Sequence, residues 1–292
     1  MYTVSIISNP DFTRLDEQII LRVSKAFGKI NDFKWLMSKV ALEFEIPKYP
    51  KNIEEIWAEL QNLEIDLAIQ KSIGRKKRVL VADMDSTIIH QECIDELASE
   101  YGVGQAVSEI TKRSMNGEIS FENSLRERVK LLKGMKIDII DKVLKEKITY
   151  RAGAEVLINT MKNNGCYTAI VSGGFTAFSK VISDTLGFNE SIANKLLKSD
   201  GIFTGFVQEP ILGESSKVHA LRAISKKLGV DFQDFIAVGD GANDIGMLDL
   251  AGLGVALHAK KIVQEVTNIK INFGDLTSLL FLQGYTESEF CW

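Results

Sequence analysis

Two aspartates one residue apart, Asp83 and Asp85 in the run Asp83-Met84-Asp85-Ser86-Thr87, end the apolar stretch VLVAD at 79–83. Residues two apart in an extended chain point the same way. Both carboxylates can therefore face one pocket at the C-terminal end of a strand. Two acids so close repel unless a cation or a shared proton compensates. Phosphoryl transfer supplies a use for the pair: one carboxylate attacks phosphorus and the other handles protons. A turn capped by aspartates accounts for the same residues without any chemistry.

Three more segments carry chemistry of a matching kind. Ser172-Gly173-Gly174 ends the apolar run 168–171 and precedes a helical pattern, so a hydroxyl, open backbone N–H groups and a helix start converge on an anion site. The alternative is an ordinary glycine-rich turn. Lys217 opens the helical pattern 218–228, where a cation opposes the helix dipole, so an anionic neighbour would suit it; a solvated surface lysine is the alternative. Gly239-Asp240-Gly241-Ala242-Asn243-Asp244 follows the apolar FIAV segment. Asp240 stands at that strand's tip, where a carboxylate oxygen suits Mg²⁺. Asp244, one helical turn on, is placed to brace Asp240 or Lys217. The loop is too short for a calcium hand and lacks its distal glutamate.

The elements that must position these residues read as a doubly wound α/β sheet. Strand-like segments at 79–83, 168–174, 235–241 and 252–257 end in polar or glycine-rich turns and are mostly separated by helical patterns. An insertion at about 92–148 is mostly helical, and a hairpin is expected to turn at Asp200-Gly201. Before this core, residues 1–74 show the order βαββαβ of a small ferredoxin-like α+β unit, and residues 75–292 form the expected catalytic domain. The basic run at 75–78 reads as a linker rather than a nucleic-acid patch, because it is short and has no interleaved aromatics. The net charge of −4 gives no general reason to bind nucleic acid. No stretch reaches the ~18 apolar residues that span a bilayer. Cys93, Cys166 and Cys291 form neither a metal spacing nor a disulfide framework, and with the missing secretory signal they point to the cytoplasm. His90, His219 and His258 show no metal-ligand spacing either.

The order DMDST, SGG, Lys, GDGAND resembles the haloacid dehalogenase superfamily of phosphatases, from about Val79 onward. The resemblance implies Asp83 as nucleophile, Asp85 as general acid and base, and Ser172, Gly173 and Lys217 on the phosphoryl oxygens. It implies Mg²⁺ on Asp83, the carbonyl of Asp85 and Asp240, with Asp244 in support and Asn243 among the substrate contacts.

The insertion follows the nucleophile strand and should act as a lid. In GEISFENSLRERVKLL, the residues Phe121, Leu125, Arg128 and Leu132 share one helical stripe. Arg128 interrupts that apolar face, whereas Arg126 lies on a polar face with Glu122. An arginine among apolar side chains needs an anion, and its fork matches a carboxylate; snorkelling to solvent is the alternative. Glu92 opens the preceding helical pattern near the pocket mouth, where an acid is also ordinary. One acid and one arginine could read the two charges of an amino acid. DMDSTIIHQECIDELA and MNGEISFENSLRERVKLL resemble the phosphoserine phosphatase family. That resemblance implies Glu92 on the substrate ammonium, Arg128 on its carboxylate, and Met115 and Phe121 closing the pocket on phosphoserine. The remaining readings are a phosphotransferase or phosphatase for another phosphorylated amino acid, or an amino-acid-binding regulator without catalysis. The N-terminal unit resembles a degenerate ACT-like module. Its first turn, SNPDFTRLD, lacks the glycine of a ligand loop, so pairing into a homodimer or simple support is expected of it.

Overall fold

The computed structural model describes residues 1–28, 30, 32–115 and 118–292, except the side chain of Met115. Strands β1 (Tyr2–Ser8), β2 (Lys34–Met37), β3 (Ala41–Ile46) and β4 (Ile65–Lys71), with helices α1 (Glu17–Ala26) and α2 (Ile53–Asn62), follow the βαββαβ order. The strands form one antiparallel sheet in the order β2-β3-β1-β4. The Asp16 side chain starts α1 by accepting the Ile19 N–H. Strand alternation divides the sheet's two faces. Val4, Ile6, Leu42, Phe44, Ile65 and Leu67 pack with Val23, Ile56 and Leu60 of the helices. Ile7, Ala41 and Ala68 point the other way and join the core of the second sheet.

That second sheet holds β5 (Val79–Ala82), β6 (Tyr167–Phe175), β7 (Glu190–Asn194), β10 (Phe235–Gly239), β11 (Leu253–Leu257) and β12 (Ile269–Ile271). Strands β8 (Leu196–Ser199) and β9 (Ile202–Val207) form the hairpin, and Asp200 and Gly201 at its turn both have positive φ. The six strands are parallel, in the order β12-β11-β10-β5-β6-β7. The connection reverses direction beside β5, which makes the C-terminal ends of β5 and β10 a topological switch point. Both faces are covered, so the central strands are apolar throughout. Leu80 and Ala82 pack on the side of α7 (Ala154–Asn163), α8 (Thr176–Leu186) and α12 (Ser278–Leu282). Val79 and Val81 face α9 (Glu214–Leu228), α10 (Ile245–Leu250) and α11 (Lys261–Val266).

The insertion after β5 contains α3 (Cys93–Glu100), α4 (Gly104–Met115), α5 (Phe121–Leu131) and α6 (Ile139–Glu146). Strands β7 and β12 were not expected from the sequence. They are the sheet's two edges, short and partly polar, and so lack the apolar run that betrays a central strand.

The basic run between the sheets is a strap. Arg75 reaches Glu43 at 2.6 Å and the carbonyls of Phe281 and Leu282. Lys77 is buried and donates to the carbonyls of Gly74 and Gln233. Lys76 pairs with Glu289 and Arg78 with Asp234. Deeper in the same junction, the fully buried Asp66 accepts the backbone N–H groups of Asn272 (2.7 Å), Phe273 (3.0 Å) and Gly274 (2.8 Å).

Burial raises the Asp66 carboxyl to about 6, against the pull of these three donors. Asp66→Ala, by stranding three buried donors, should lower unfolding free energy by about 3 kcal/mol at pH 7.5 in urea titrations. A carboxyl whose folded pKa is raised contributes most below its unfolded value, and that contribution is lost as pH rises through about 6. The gap between wild type and variant should therefore widen by about 1 kcal/mol at pH 5.

Candidate active site

Asp83 is the first residue beyond β5, and its N–H donates to the Val238 carbonyl at 3.0 Å, which ties it to β10. Lys217, in the first turn of α9, is buried with its Nζ 2.6 Å from Asp83 Oδ1 and 2.5 Å from Asp244 Oδ1. Asp244 Oδ2 accepts the N–H groups of Asp240 (3.1 Å) and Gly241 (3.0 Å), so both of its oxygens are engaged. This close packing requires glycine at 239, where a Cβ would lie 2.3 Å from Asp244 Cγ. Asp240 completes the group. It lies 3.4 Å from the Thr87 hydroxyl and 3.8 Å from Lys260 Nζ, and its carbonyl accepts the Lys260 N–H.

Carboxylate oxygens of Asp83, Asp240 and Asp244 lie within 4.8 Å of one another. Burial, reinforced by Asp244, drives the Asp83 carboxyl far above its usual range, and Lys217 opposes the shift. Burial also raises Asp240 to about 6, with Lys260 opposing. For Lys217, burial pulls downward, but Asp244 and Asp83 together hold its ammonium above the ordinary lysine value. Three acids facing one buried ammonium leave surplus negative charge on hard oxygen donors. That donor set fits a divalent cation such as Mg²⁺ or Mn²⁺.

Asp85 faces a different environment. Its Oδ1 accepts the Cys93 N–H at 3.2 Å, and burial followed by the nearby Glu92 raises it to about 7. A carboxyl at that value can give and take a proton near neutrality. Glu92 stands at the N-cap of α3 and accepts the Ser86 hydroxyl at 2.9 Å.

Asp83, Asp85, Ser172, Gly173, Asp240 and Asn243 line one wall of a cavity of about 450 Å³, and Glu92, Phe121 and Arg128 from the insertion line another. Lys217 and Asp244 do not line it and act on it through Asp83 and Asp240. Arg128 faces this space, with Nε 3.3 Å from the Ser124 carbonyl; burial lowers its pKa and Asp95 opposes that. Arg126 is on the outer face, paired with Glu209 at 2.9 Å rather than with Glu122. Leu125 and Leu132 are buried beneath. Phe121 follows the N-cap Ser120 and reaches over Gly173, which lies within the last part of β6 rather than in the turn expected from the sequence; its Cζ is 3.0 Å from where a Gly173 Cβ would stand. The side chain of Met115 lies outside the described residues. Ser172 Oγ accepts the Gly174 N–H at 2.9 Å.

Several residues around this cavity escaped sequence reasoning. Lys260 lies just past the C-terminal end of β11, so the strand-end rule that found Asp240 could have found it. Ser124, whose buried hydroxyl has no partner among the described residues, and Asp95 carry no signal beyond helical position. Gly174 was read as part of an anion turn; a Cβ there would lie 2.5 Å from Asp85 Oδ2.

The model of the haloacid dehalogenase-like hydrolases matches residues 80–249. The chain belongs to that family. A probable phosphoserine phosphatase of Schizosaccharomyces pombe is 41% identical over 231 residues, covering 78% of this chain and 77% of the relative. A solved phospho-aspartyl intermediate analogue of phosphoserine phosphatase is 44% identical, with a TM-score of 0.66 over 70% of this chain and 98% of that one. A crystal structure of a HAD family hydrolase from Salmonella enterica serovar Typhi superposes with a TM-score of 0.88 at 26% identity, over 97% of this chain and 98% of that one. That likeness spans both sheets.

Because the Gly174 Cα borders the Asp85 carboxyl, Gly174→Ala should displace that carboxyl and lower kcat by about 100-fold. Steady-state kinetics on a variant with an unchanged circular dichroism spectrum would measure this.

Proposed function

We propose that the chain hydrolyses O-phospho-L-serine to L-serine and phosphate through a phosphoryl group carried on Asp83. The observation that carries this reading is one cavity that brings two unlike sets of groups together. Asp83, Asp85 and Asp240 of the sheet and Arg128 and Glu92 of the insertion all line it. A phosphate ester with one carboxylate and one ammonium matches that distribution of charge, and the phosphoserine phosphatases among the relatives agree with it.

In the first step Asp83 attacks phosphorus, and the ester bond to the serine oxygen breaks as Asp85 delivers its proton to that oxygen. Serine leaves and an acyl phosphate remains on Asp83. In the second step Asp85, now ionised, takes a proton from water. The water oxygen bonds to phosphorus, and the bond to Asp83 breaks to release phosphate and restore both carboxyls. Lys217 offsets the charge on Asp83 throughout, and Ser172 and Gly173 contact the phosphoryl oxygens. Asp83, the carbonyl of Asp85 and Asp240 would hold Mg²⁺, which when bound neutralises phosphoryl charge and orients the group. Asp244 supports that set, because its own oxygens are committed to Lys217 and to the 240–241 backbone. Arg128 takes the substrate carboxylate, Glu92 the ammonium, and Phe121, Met115 and Asn243 complete the pocket.

On this reading residues 1–74 and 75–292 act as a supporting module and a catalytic domain, with 92–148 as the lid. Pairing of two copies through the first module would use β2, the sheet edge that pairs with no further strand among the described residues, since both faces of that sheet are covered within the chain. The cytoplasm is the proposed compartment, in keeping with the unbridged thiols of Cys93, Cys166 and Cys291.

Phosphate release from phosphoserine should require a divalent cation and stop on chelation. Asp83→Asn should abolish it while leaving the fold intact; turnover near the wild-type rate would refute the nucleophile. Arg128→Ala should cost ~2–5 kcal/mol in kcat/KM, as when one partner of a buried charge pair is removed. Arg126→Ala, which opens only an exposed pair, should change it little.

A further inference from the structure

Ser86 lies between the catalytic aspartates and the lid with φ at 57°, in the left-handed region. A residue with a Cβ stays there only when its surroundings impose it. Two contacts hold Ser86: its N–H donates to the Gln91 carbonyl at 3.2 Å, and its carbonyl is held by Arg151, far along the chain. The Arg151 Nε and Nη2 donate to the Ser86 carbonyl at 3.0 and 2.8 Å. With the backbone so set, the Ser86 hydroxyl donates to Glu92 Oε1 at 2.9 Å.

Arg151 occupies the point where the lid insertion returns to the sheet, three residues before α7. Its N–H donates to the Ile88 carbonyl at 2.9 Å, and the His90 N–H donates to the Thr149 carbonyl at 3.1 Å. Ile89 and Tyr150 form a bridge, and the Gln91 side chain bonds twice to Thr149 at 2.9 Å. The outgoing and returning ends of the lid are thus fastened together. The guanidinium fork adds a side-chain contact from this fastening to the carbonyl of Ser86, next to Asp85. A lysine could offer that carbonyl only a point charge, without the planar pair of donors.

We propose that Arg151 is a positioning residue for substrate recognition: by fixing the Ser86 backbone it orients the Ser86 hydroxyl, which in turn holds Glu92 where the substrate ammonium binds. This rests on the reading of Glu92 given above. Arg151 acts through Ser86 and Glu92 and contacts no reacting atom, so its removal should act on recognition of the amine rather than on phosphoryl transfer itself.

The test compares phosphoserine with 3-phosphonooxypropanoate, the same ester without the amine, in wild type, Arg151→Ala and Arg151→Lys, alongside a crystal structure of Arg151→Ala. The alanine variant should raise KM for phosphoserine by about tenfold, leave kcat within about twofold, and leave the kinetics of the amine-free ester nearly unchanged. Lysine should restore part of the loss. Equal impairment on both esters would reveal general loosening of the loop and overturn the proposal, as would unchanged KM for phosphoserine. If wild type fails to distinguish the two esters, the ammonium-reading role of Glu92 falls. The crystal structure then decides the linkage by itself: Ser86 still left-handed and still bonded to Glu92 overturns it, and loss of both upholds it.

Discussion

Burying an ammonium with three carboxylates is unfavourable by several kcal/mol per ion unless each charge meets a partner in good geometry. Lys217 meets two, at 2.6 and 2.5 Å. Much of the local architecture follows from that contact. The first turn of α9 must abut the tips of β5 and β10, Asp244 must fold back over the turn it closes, and residue 239 can have no side chain. A cation in the first turn of a helix is poorly placed on its own, and the two carboxylates offset that cost. With Oδ1 of Asp83 held by the ammonium, the carboxylate is fixed in rotamer and cannot swing away. In the proposed role of nucleophile, a carboxylate held this way would lose little further entropy on reaction.

The two aspartates of one short motif are then separated chemically by their neighbours. Asp83 faces a lysine and two acids, and Asp85 faces Glu92 and a backbone N–H on the lid side of the turn. Two like groups with unlike surroundings can divide the work of attacking and of moving protons. The lid contributes to the second environment directly, because the N–H that Asp85 accepts belongs to Cys93 at the start of α3. On the proposed reading, proton transfer and substrate recognition therefore share a structural element.

The N-terminal sheet contributes packing to this arrangement. Its helix-free face lies on α12 and the 272–274 loop, where Asp66 gathers three backbone donors, and Gln70 reaches the Leu282 carbonyl at 2.6 Å. The charges of the 75–78 strap are engaged in ion pairs and in hydrogen bonds to carbonyls, those at the end of α12 among them. The same loop region receives the His258 N–H through the Ile271 carbonyl, two residues before Lys260. The two sheets thus form one continuous body up to the edge of the cavity.

What was legible in the sequence was whatever depends on neighbours a few residues away. Apolar runs closing in Asp83 and Asp240 mark strand ends, whereas β6 runs on through Ser172, Gly173 and Gly174 to Phe175; the helical stripe through Phe121, Leu125 and Arg128 separates Arg128 from Arg126, and Asp200-Gly201 marks the hairpin. Strand and helix periods make such directions local properties. The edges β7 and β12 stayed hidden, since a half-exposed edge strand has no distinctive pattern. So did Arg151 on Ser86, Lys260 by Asp240 and Asp66 on the 272–274 loop. Each of these joins residues tens or hundreds of positions apart, and their meeting is decided by how layers pack, a property that no local period encodes.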